Sequence, residues 1–334
     1  MSTFEGFLFI LNGSLVFMIP LLIVALGAMF AEKSGVINIA MEGTMVFGAF
    51  CGVVFLRAMQ ENGVATASNS TWFYLISGII AMVSGAAFSL LLGFSAINMK
   101  SDQTIAGTAL NMFGPALTIF IAMQSRSVRN VQFSSANLFF STIVDGVRVN
   151  KVPFLGDIPV LGPLLFQNIS IMTIVGFIVW GFAYFIIKKT RFGLRLSACG
   201  ENPQAADSVG INVYKYRYLG TMISGALGGL GGLIFIAESS VSWQGDVYGY
   251  GFLAIAVLIF GQWKPAKILW ASLFFGIAKS LSARYSVFPI FEGVQIKWFF
   301  DMLPYLATMV VLVFTSKKSR APKAEGIPYD KGAR

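Results

Sequence analysis

The sequence predicts an all-α polytopic membrane protein with about nine transmembrane helices, some of them short or broken. Three observations predict this fold class. Hydrophobic residues make up 56% of the 334-residue chain and charged residues only 12%, which is about half the charged share of a soluble domain. Apolar runs of about 20 residues, the length that crosses a bilayer as a helix, recur along the chain. These runs do not alternate apolar and polar residues, as the strands of a membrane β-barrel would.

Nine apolar runs account for the predicted spans. They cover residues 7–29, 37–56, 72–96, 105–123, 169–187, 217–238, 250–262, 267–283 and 297–315. Together they predict one transmembrane domain, residues 1–316, followed by a basic tail, residues 317–334. The run that starts at Gly251 is short for a full crossing, and polar residues interrupt the chain at 32–35. Transporters use short or interrupted helices of this kind to build a path at membrane depth.

The basic residues orient the chain in the membrane. Of the 24 Lys and Arg residues, 12 lie in the two segments 188–217 and 315–334. Because loops rich in Lys and Arg stay on the cytoplasmic side, we expect both segments to be cytoplasmic. Nine spans then place the N-terminus and the loop 124–168 outside. The same rule accounts for the net charge of +9 without nucleic acid as a partner.

The segment 188–217 is a polar, basic island between two predicted spans. It contains six basic and two acidic residues. Within it, Asn202 can be the N-cap of a short helix, with Pro203 as the first helical residue. A small helix that a membrane protein presents to the cytoplasm indicates a docking element for a partner.

Polar residues inside the spans are candidates for a translocation path. Asn38 and Glu42 stand four residues apart where the second span is predicted to begin, so they would share one helix face. A charged Glu at this depth is costly, so Glu42 either lines a wet path or is bonded internally to fix helix packing. Asn111 leaves a similar choice between a helix–helix hydrogen bond and a wet cavity. The residues expected along a path are Asn38, Glu42, Thr44, Asn111 and Glu238.

The glycines and the missing histidine argue against an enzyme. Glycines 225 and 229, and glycines 228 and 232, form two overlapping GxxxG pairs, which let helix backbones approach closely. No GxxxxGK followed by Ser or Thr occurs, so the chain has no P-loop for ATP. The chain contains no His, which removes imidazole acid–base chemistry and imidazole metal ligands. We therefore expect no catalytic site, no ATPase site and no cofactor in this chain.

Three separated blocks resemble the permease subunits of ABC importers of the branched-chain amino acid, ribose and nucleoside superfamily. The blocks are residues 32–43 (EKSGVINIAMEG), 200–211 (GENPQAADSVGI) and 249–256 (GYGFLAIA). The resemblance extends over residues 10–315. The first block looks like the nucleoside branch, which is served by a binding lipoprotein, because ribose-type permeases have a Gly-Gly-Ile-Asp-Leu-Ser-like run at this point.

The resemblance implies a multi-pass protein of the bacterial cytoplasmic membrane, in contact with lipid, that forms a pore with a second permease, commonly a paralogue. Separate ATPase subunits would bind ATP and Mg and dock on the coupling loop, and an extracytoplasmic substrate-binding lipoprotein would deliver nucleosides. The docking residues that the resemblance implies are Gly200, Glu201, Asn202, Pro203, Ala205, Ala206, Asp207 and Gly210. Two alternatives stay open. One is the same machinery with a ribose-like sugar or another small polar solute, and the other is a secondary transporter, for which the intramembrane acids are few.

Overall fold

The computed structural model describes ten helices and four very short strands in most of the chain. The described residues are 3–65, 69–126, 130–134, 142–144, 147–149, 170–240, 242–284 and 321–332, with 299, 302, 303, 305, 306, 308 and 309. The helices are α1 (Thr3–Lys33), α2 (Met41–Glu61), α3 (Ser70–Ile97), α4 (Gln103–Arg126), α5 (Ile171–Lys189), α6 (Arg191–Glu201), α7 (Pro203–Ser208), α8 (Val213–Ser239), α9 (Tyr250–Phe260) and α10 (Pro265–Arg284). Strands β1 (Val131–Gln132) and β4 (Ser242–Trp243) pair antiparallel, as do β2 (Thr142–Val144) and β3 (Val147–Val149).

Seven of the described helices are long and apolar enough to cross a membrane: α1, α2, α3, α4, α5, α8 and α10. This confirms the predicted all-α polytopic class. The shorter apolar helix α9 corresponds to the predicted run 250–262. Most of the predicted ninth span, 297–315, and of the predicted loop 124–168 lies outside the described residues.

Two helices form the centre of the bundle, and others surround them. Of the most apolar stretch of each helix, 83% is buried in α1 and 78% in α8, but only 22% in α4. Helix α1 packs against α5, α8, α9 and α10, and α8 packs against α1, α2 and α3. The peripheral helices α3, α4 and α5 leave apolar side chains exposed, as helices do that face lipid or another subunit.

The glycines of α8 allow this close packing. A Cβ atom on Gly229 would lie 2.1 Å from the carbonyl oxygen of Ala81 in α3, and one on Gly232 would lie 2.2 Å from that of Met45 in α2. Only glycine lets the backbones approach to this distance. The prediction that the GxxxG pairs serve helix packing is confirmed.

The start of the second span differs from the prediction. Helix α1 ends at Lys33, and α2 begins only at Met41. We call the residues between the helix ends, 34–40, the junction. Gly35 has a φ of +95°, a left-handed conformation that ends α1. Because the junction is not helical, the prediction that Asn38 and Glu42 share one helix face is wrong.

Candidate functional site

The end of the junction lies about a third of the way along the membrane-spanning helix α4, and so at membrane depth. Helix α4 begins at Gln103, and Asn111 lies eight residues later, about 12 Å along the helix axis. The Asn111 Oδ1 atom accepts a hydrogen bond of 2.8 Å from the Gly43 N–H, and its Nδ2 donates one of 2.8 Å to the Ile39 carbonyl oxygen. Gln103 Oε1 accepts a further bond of 2.7 Å from the Ile37 N–H. Helix α4 thus satisfies polar backbone groups that the bilayer could not.

Glu42 holds the N-terminus of the short helix α9. Its two carboxyl oxygens accept hydrogen bonds from the N–H groups of Gly249 and Gly251, each at 2.7 Å. Gly249 is the N-cap residue with a φ of +77°, and a Cβ atom on Gly251 would lie 2.4 Å from the Glu42 nitrogen. Both glycines are therefore needed for this contact. Two roles were left open for Glu42, and the structure shows internal hydrogen bonding of its carboxyl group. The residue is buried, with 8% of its surface exposed.

Asn38 and Thr44 stand before and after Glu42 in the sequence, and both are buried. Asn38 is fully buried and its Nδ2 donates a hydrogen bond of 2.8 Å to Ser224 Oγ in α8. The Asn38 Oδ1 atom is buried without a hydrogen-bond partner among the described residues. Thr44 is also fully buried, and its hydroxyl donates to the Ala40 carbonyl oxygen at 2.8 Å. The junction, α4, α8 and α9 thus meet around one buried polar cluster.

Glu238 lies away from this cluster. It stands near the C-terminal end of α8, fourteen residues beyond Ser224, or about 21 Å along the helix. Its carboxyl group is buried and faces the hydroxyl groups of Tyr74 and Ser170. The structure therefore brings together four of the five predicted path residues and separates the fifth.

The predicted docking segment folds as two helices, α6 and α7. The Asn202 Oδ1 atom accepts a hydrogen bond of 3.0 Å from the Ala205 N–H, and Pro203 is the first residue of α7. The prediction of a short helix with this N-cap and this first residue is confirmed. In α7, Pro203 and Ala206 are buried while Ala205 is exposed. The helix therefore presents its other face to the outside of the molecule.

The remaining predicted docking residues mark the two ends of this element. Glu201 is exposed at the end of α6, and Gly200 lies so close to α1 that a Cβ atom there would be 2.4 Å from the Lys33 carbonyl oxygen. Asp207 accepts the N–H of Gly210 through its carbonyl oxygen at 2.9 Å. Gly210, with a φ of +83°, lets the chain leave α7. The coupling element is thus directly connected to the end of α1.

Sequence reasoning missed the role of residues 321–332, which it treated only as part of a basic tail. These residues fold against α6, α7, α8 and the junction. For example, the Ala324 N–H donates to the Gly200 carbonyl oxygen at 2.8 Å. The ring centroids of Tyr329 and Tyr214 are 5.3 Å apart. The signals in the sequence were Pro322, Gly326, Pro328 and Tyr329, a turn-forming and aromatic pattern that a solvated charged tail does not need.

A bundle of membrane-spanning helices, with a broken segment and a short helix meeting at membrane depth, defines a polytopic membrane permease. The chain belongs to the family described as branched-chain amino acid transport system / permease component, whose model matches residues 10–312. This match confirms the resemblance found in the three sequence blocks.

Relatives of known description agree with the family. The chain is 41% identical over 327 residues to the guanosine ABC transporter permease protein NupQ of Bacillus subtilis, and the match covers 97% of each chain. It is 36% identical to the nucleoside ABC transporter permease protein NupC of Lactococcus lactis, with 96% of each chain covered. It is 29% identical to the putative glucose ABC transporter permease protein TsgC13 of Haloferax volcanii, with 82% of this chain and 77% of that one covered.

Proposed function

We propose that this chain is the transmembrane permease subunit of an ATP-driven ABC importer and that it carries nucleosides. The observation that carries the proposal is the similarity to NupQ and NupC over nearly the full length of all three chains. The similarity to the glucose permease is weaker and covers less of the chain. A ribose-like sugar is therefore the second candidate substrate.

The polar cluster at membrane depth supports a neutral substrate. The N-terminus of a broken helix carries a partial positive charge, which transporters use to bind anionic groups of their substrates. In this chain Glu42 already accepts the N–H groups of Gly249 and Gly251 at the start of α9. That helix end is therefore not available to the carboxylate of an amino acid or to the phosphate of a nucleotide. A nucleoside or a sugar needs no such site.

The path residues act mainly by shaping this cluster. Asn38, Glu42, Thr44 and Asn111 fix the junction and α9 at the position where the solute passes, and Glu238 lies nearer the outer mouth of the path. Movement of the junction would change the width of the path, because the junction leads directly into α2, whose Glu42 binds the start of α9. We propose that the gate lies at this non-helical backbone.

The energy comes from a separate protein. No P-loop sequence occurs in the chain, so ATP and Mg belong to ATPase subunits that dock on the exposed face of α7 from the cytoplasm. That orientation puts the C-terminal tail inside and the N-terminus outside, in accordance with the basic residues of 188–217. A substrate-binding lipoprotein delivers the solute from outside.

A second permease completes the pore. Helix α4 exposes apolar side chains along its length, with Ile105 71%, Met112 78% and Phe120 65% exposed. Such a surface requires a cover of membrane lipid or of another subunit. By the family resemblance, the second permease is a paralogue.

Uptake measurements test the function. Labelled guanosine, uridine and ribose are supplied to cells that lack the gene and to cells in which it is restored. We expect guanosine and uridine uptake to fall on deletion and to return on restoration, while ribose uptake stays unchanged. Loss of ribose uptake alone would select the sugar alternative, and unchanged uptake of all three would contradict the proposed substrate.

A further inference from the structure

The segment 321–332, which we call the tail strap, lies across the coupling element and the junction. Its backbone makes one hydrogen bond to each. The Ala324 N–H donates to the Gly200 carbonyl oxygen at 2.8 Å, and the Gly326 N–H donates to the Gly35 carbonyl oxygen at 3.2 Å. Gly326 has a φ of +74° and Gly35 one of +95°, so two left-handed glycines meet at this contact. The strap therefore bridges α6 and the junction through main-chain groups.

The strap also packs directly on the coupling helix α7. Tyr329 is 4% exposed and belongs to one apolar cluster with Ala206 of α7, Cys199 of α6 and Val213 of α8. The Tyr329 hydroxyl group faces the carboxylate of Asp207. The buried face of α7 is thus covered in part by the strap, and a displacement of α7 must move Tyr329 or break this contact.

A buried arginine of α8 binds the strap. Arg217, at the start of α8, is 1% exposed and its Nη1 donates to the Ile327 carbonyl oxygen at 3.0 Å. A Cβ atom on Gly35 would lie 2.9 Å from Arg217 Nη2, so the same guanidinium group also supports the junction. An exposed ion pair of 2.8 Å joins Asp330 to Lys100 in the turn before α4, but such surface pairs contribute little to stability.

The strap also lies beside the end of α1. Glu325 lies beside Glu32 of α1, and Glu32 accepts a hydrogen bond from the indole N–H of Trp263 in the turn between α9 and α10. Burial raises the pKa of Glu325, whereas the contact with Glu32 lowers it by a smaller amount. The strap is therefore linked, through Glu32 of α1, to the turn that follows α9.

We propose that the tail strap mechanically links helix α7 to the junction. A displacement of α7 is then passed through the strap to Glu42 and α9. This inference rests on the proposed function, in which an ATPase moves α7. The contacts are continuous from one element to the next: Tyr329 packs on α7, Ala324 binds α6, and Gly326 binds the junction. The strap acts by positioning, since none of its residues lies in the membrane-depth cluster.

Two substitutions weaken the strap at different points. Ala324→Pro removes the N–H group that binds Gly200, and Tyr329→Ala removes the ring between α7 and Tyr214. The matched control is Lys331→Ala, because Lys331 is an exposed residue of the same segment. Each variant is produced with the partner ATPase, the second permease and the lipoprotein, and membrane abundance, ATPase co-purification, ATP hydrolysis and nucleoside uptake are all measured.

We expect uptake to fall about 10-fold or more in both strap variants, in the range of typical coupling free energies. Membrane abundance, ATPase co-purification and basal ATP hydrolysis should stay near those of the wild type, and Lys331→Ala should transport normally. Normal uptake by both strap variants at wild-type abundance would overturn the proposal. If instead the wild-type importer took up no nucleoside, this would contradict the proposed function and would not bear on the proposal about the strap.

A second measurement applies if the substitutions impair assembly. A protease site is inserted between residues 317 and 320, the wild-type complex is assembled in nanodiscs, and the strap is then cut from the chain and washed away. We expect the loaded lipoprotein to stop stimulating ATP hydrolysis while basal hydrolysis continues, and added peptide 321–332 to restore the stimulation. Full stimulation after confirmed removal of the strap would contradict the proposal.

Discussion

Two regions of the molecule can be compared. One is the polar cluster at membrane depth, and the other is the coupling region, formed by α6, α7 and the tail strap. Each contains irregular backbone whose polar groups need partners. At membrane depth the partners are side chains from distant helices, such as Asn111 and Glu42. In the coupling region they are largely main-chain groups of the tail strap, as in the bond between Gly326 and Gly35. At membrane depth single side chains thus satisfy the backbone, whereas in the coupling region main-chain bonds of the strap act together with the side chains of Arg217 and Tyr329.

The largest expected effect comes from Glu42. Glu42→Leu would leave two buried N–H groups at the start of α9 without acceptors, at a cost of about 2–6 kcal/mol in stability. We expect the variant to lose most of its membrane abundance and its thermal stability in detergent. Glu42→Gln, which retains one acceptor oxygen, should lose less. Normal abundance of Glu42→Leu together with lost transport would instead show that Glu42 contacts the solute.

Close helix packing predicts the next effect. Gly229→Leu would place side-chain atoms where a Cβ alone meets the Ala81 carbonyl oxygen at 2.1 Å, and overpacking of this kind costs about 1–3 kcal/mol or more. The matched control is Gly181→Leu in α5, where a Cβ atom would meet no other atom within 4 Å. Thermal unfolding in detergent should separate the two variants, and equal unfolding temperatures would contradict the described packing of α8.

A smaller effect is expected for the cap of the coupling helix. Asn202→Ala removes the acceptor for the Ala205 N–H, which costs about 0.5–2 kcal/mol. Because α7 lies near solvent, water can replace part of this bond. We therefore expect normal membrane abundance with reduced ATPase co-purification, in contrast to Glu42→Leu. Asn202→Ser, which can still cap the helix, should restore co-purification, and a failure to do so would argue against the cap as the cause.

The smallest effect concerns pH. Burial raises the pKa of Glu325 in the docked strap, so docking favours the protonated carboxyl group. The contribution of Glu325 to docking is then complete below its ordinary pKa and is lost as the pH rises through the raised value. Proteolysis of the strap should therefore increase with pH in the wild type relative to Glu325→Gln, compared at each pH. An identical pH dependence of the two proteins would contradict this assignment.

The sequence was sufficient for the parts of the structure that depend on side-chain type. Apolar run length predicted the helices, the GxxxG spacing predicted the contacts of α8, and Asn202-Pro203 predicted the start of α7. The predicted start of α2 was wrong because the chain before it is not helical. Gly35 and the side chains of α4 stabilise this junction, and no local sequence pattern indicates it. The tail strap was missed because its partners are distant in the sequence: Gly35 and Gly200 accept main-chain hydrogen bonds from it, and Arg217 binds its Ile327 carbonyl oxygen.

The most direct test of the account is ATP-driven uptake by a reconstituted importer. Proteoliposomes contain this chain, the second permease and the ATPase, with ATP on the ATPase side and the loaded lipoprotein on the other. We predict ATP-dependent accumulation of guanosine that disappears when this chain is omitted, with no accumulation of leucine or guanosine monophosphate. Accumulation of leucine, or guanosine entry that does not depend on ATP, would contradict the account.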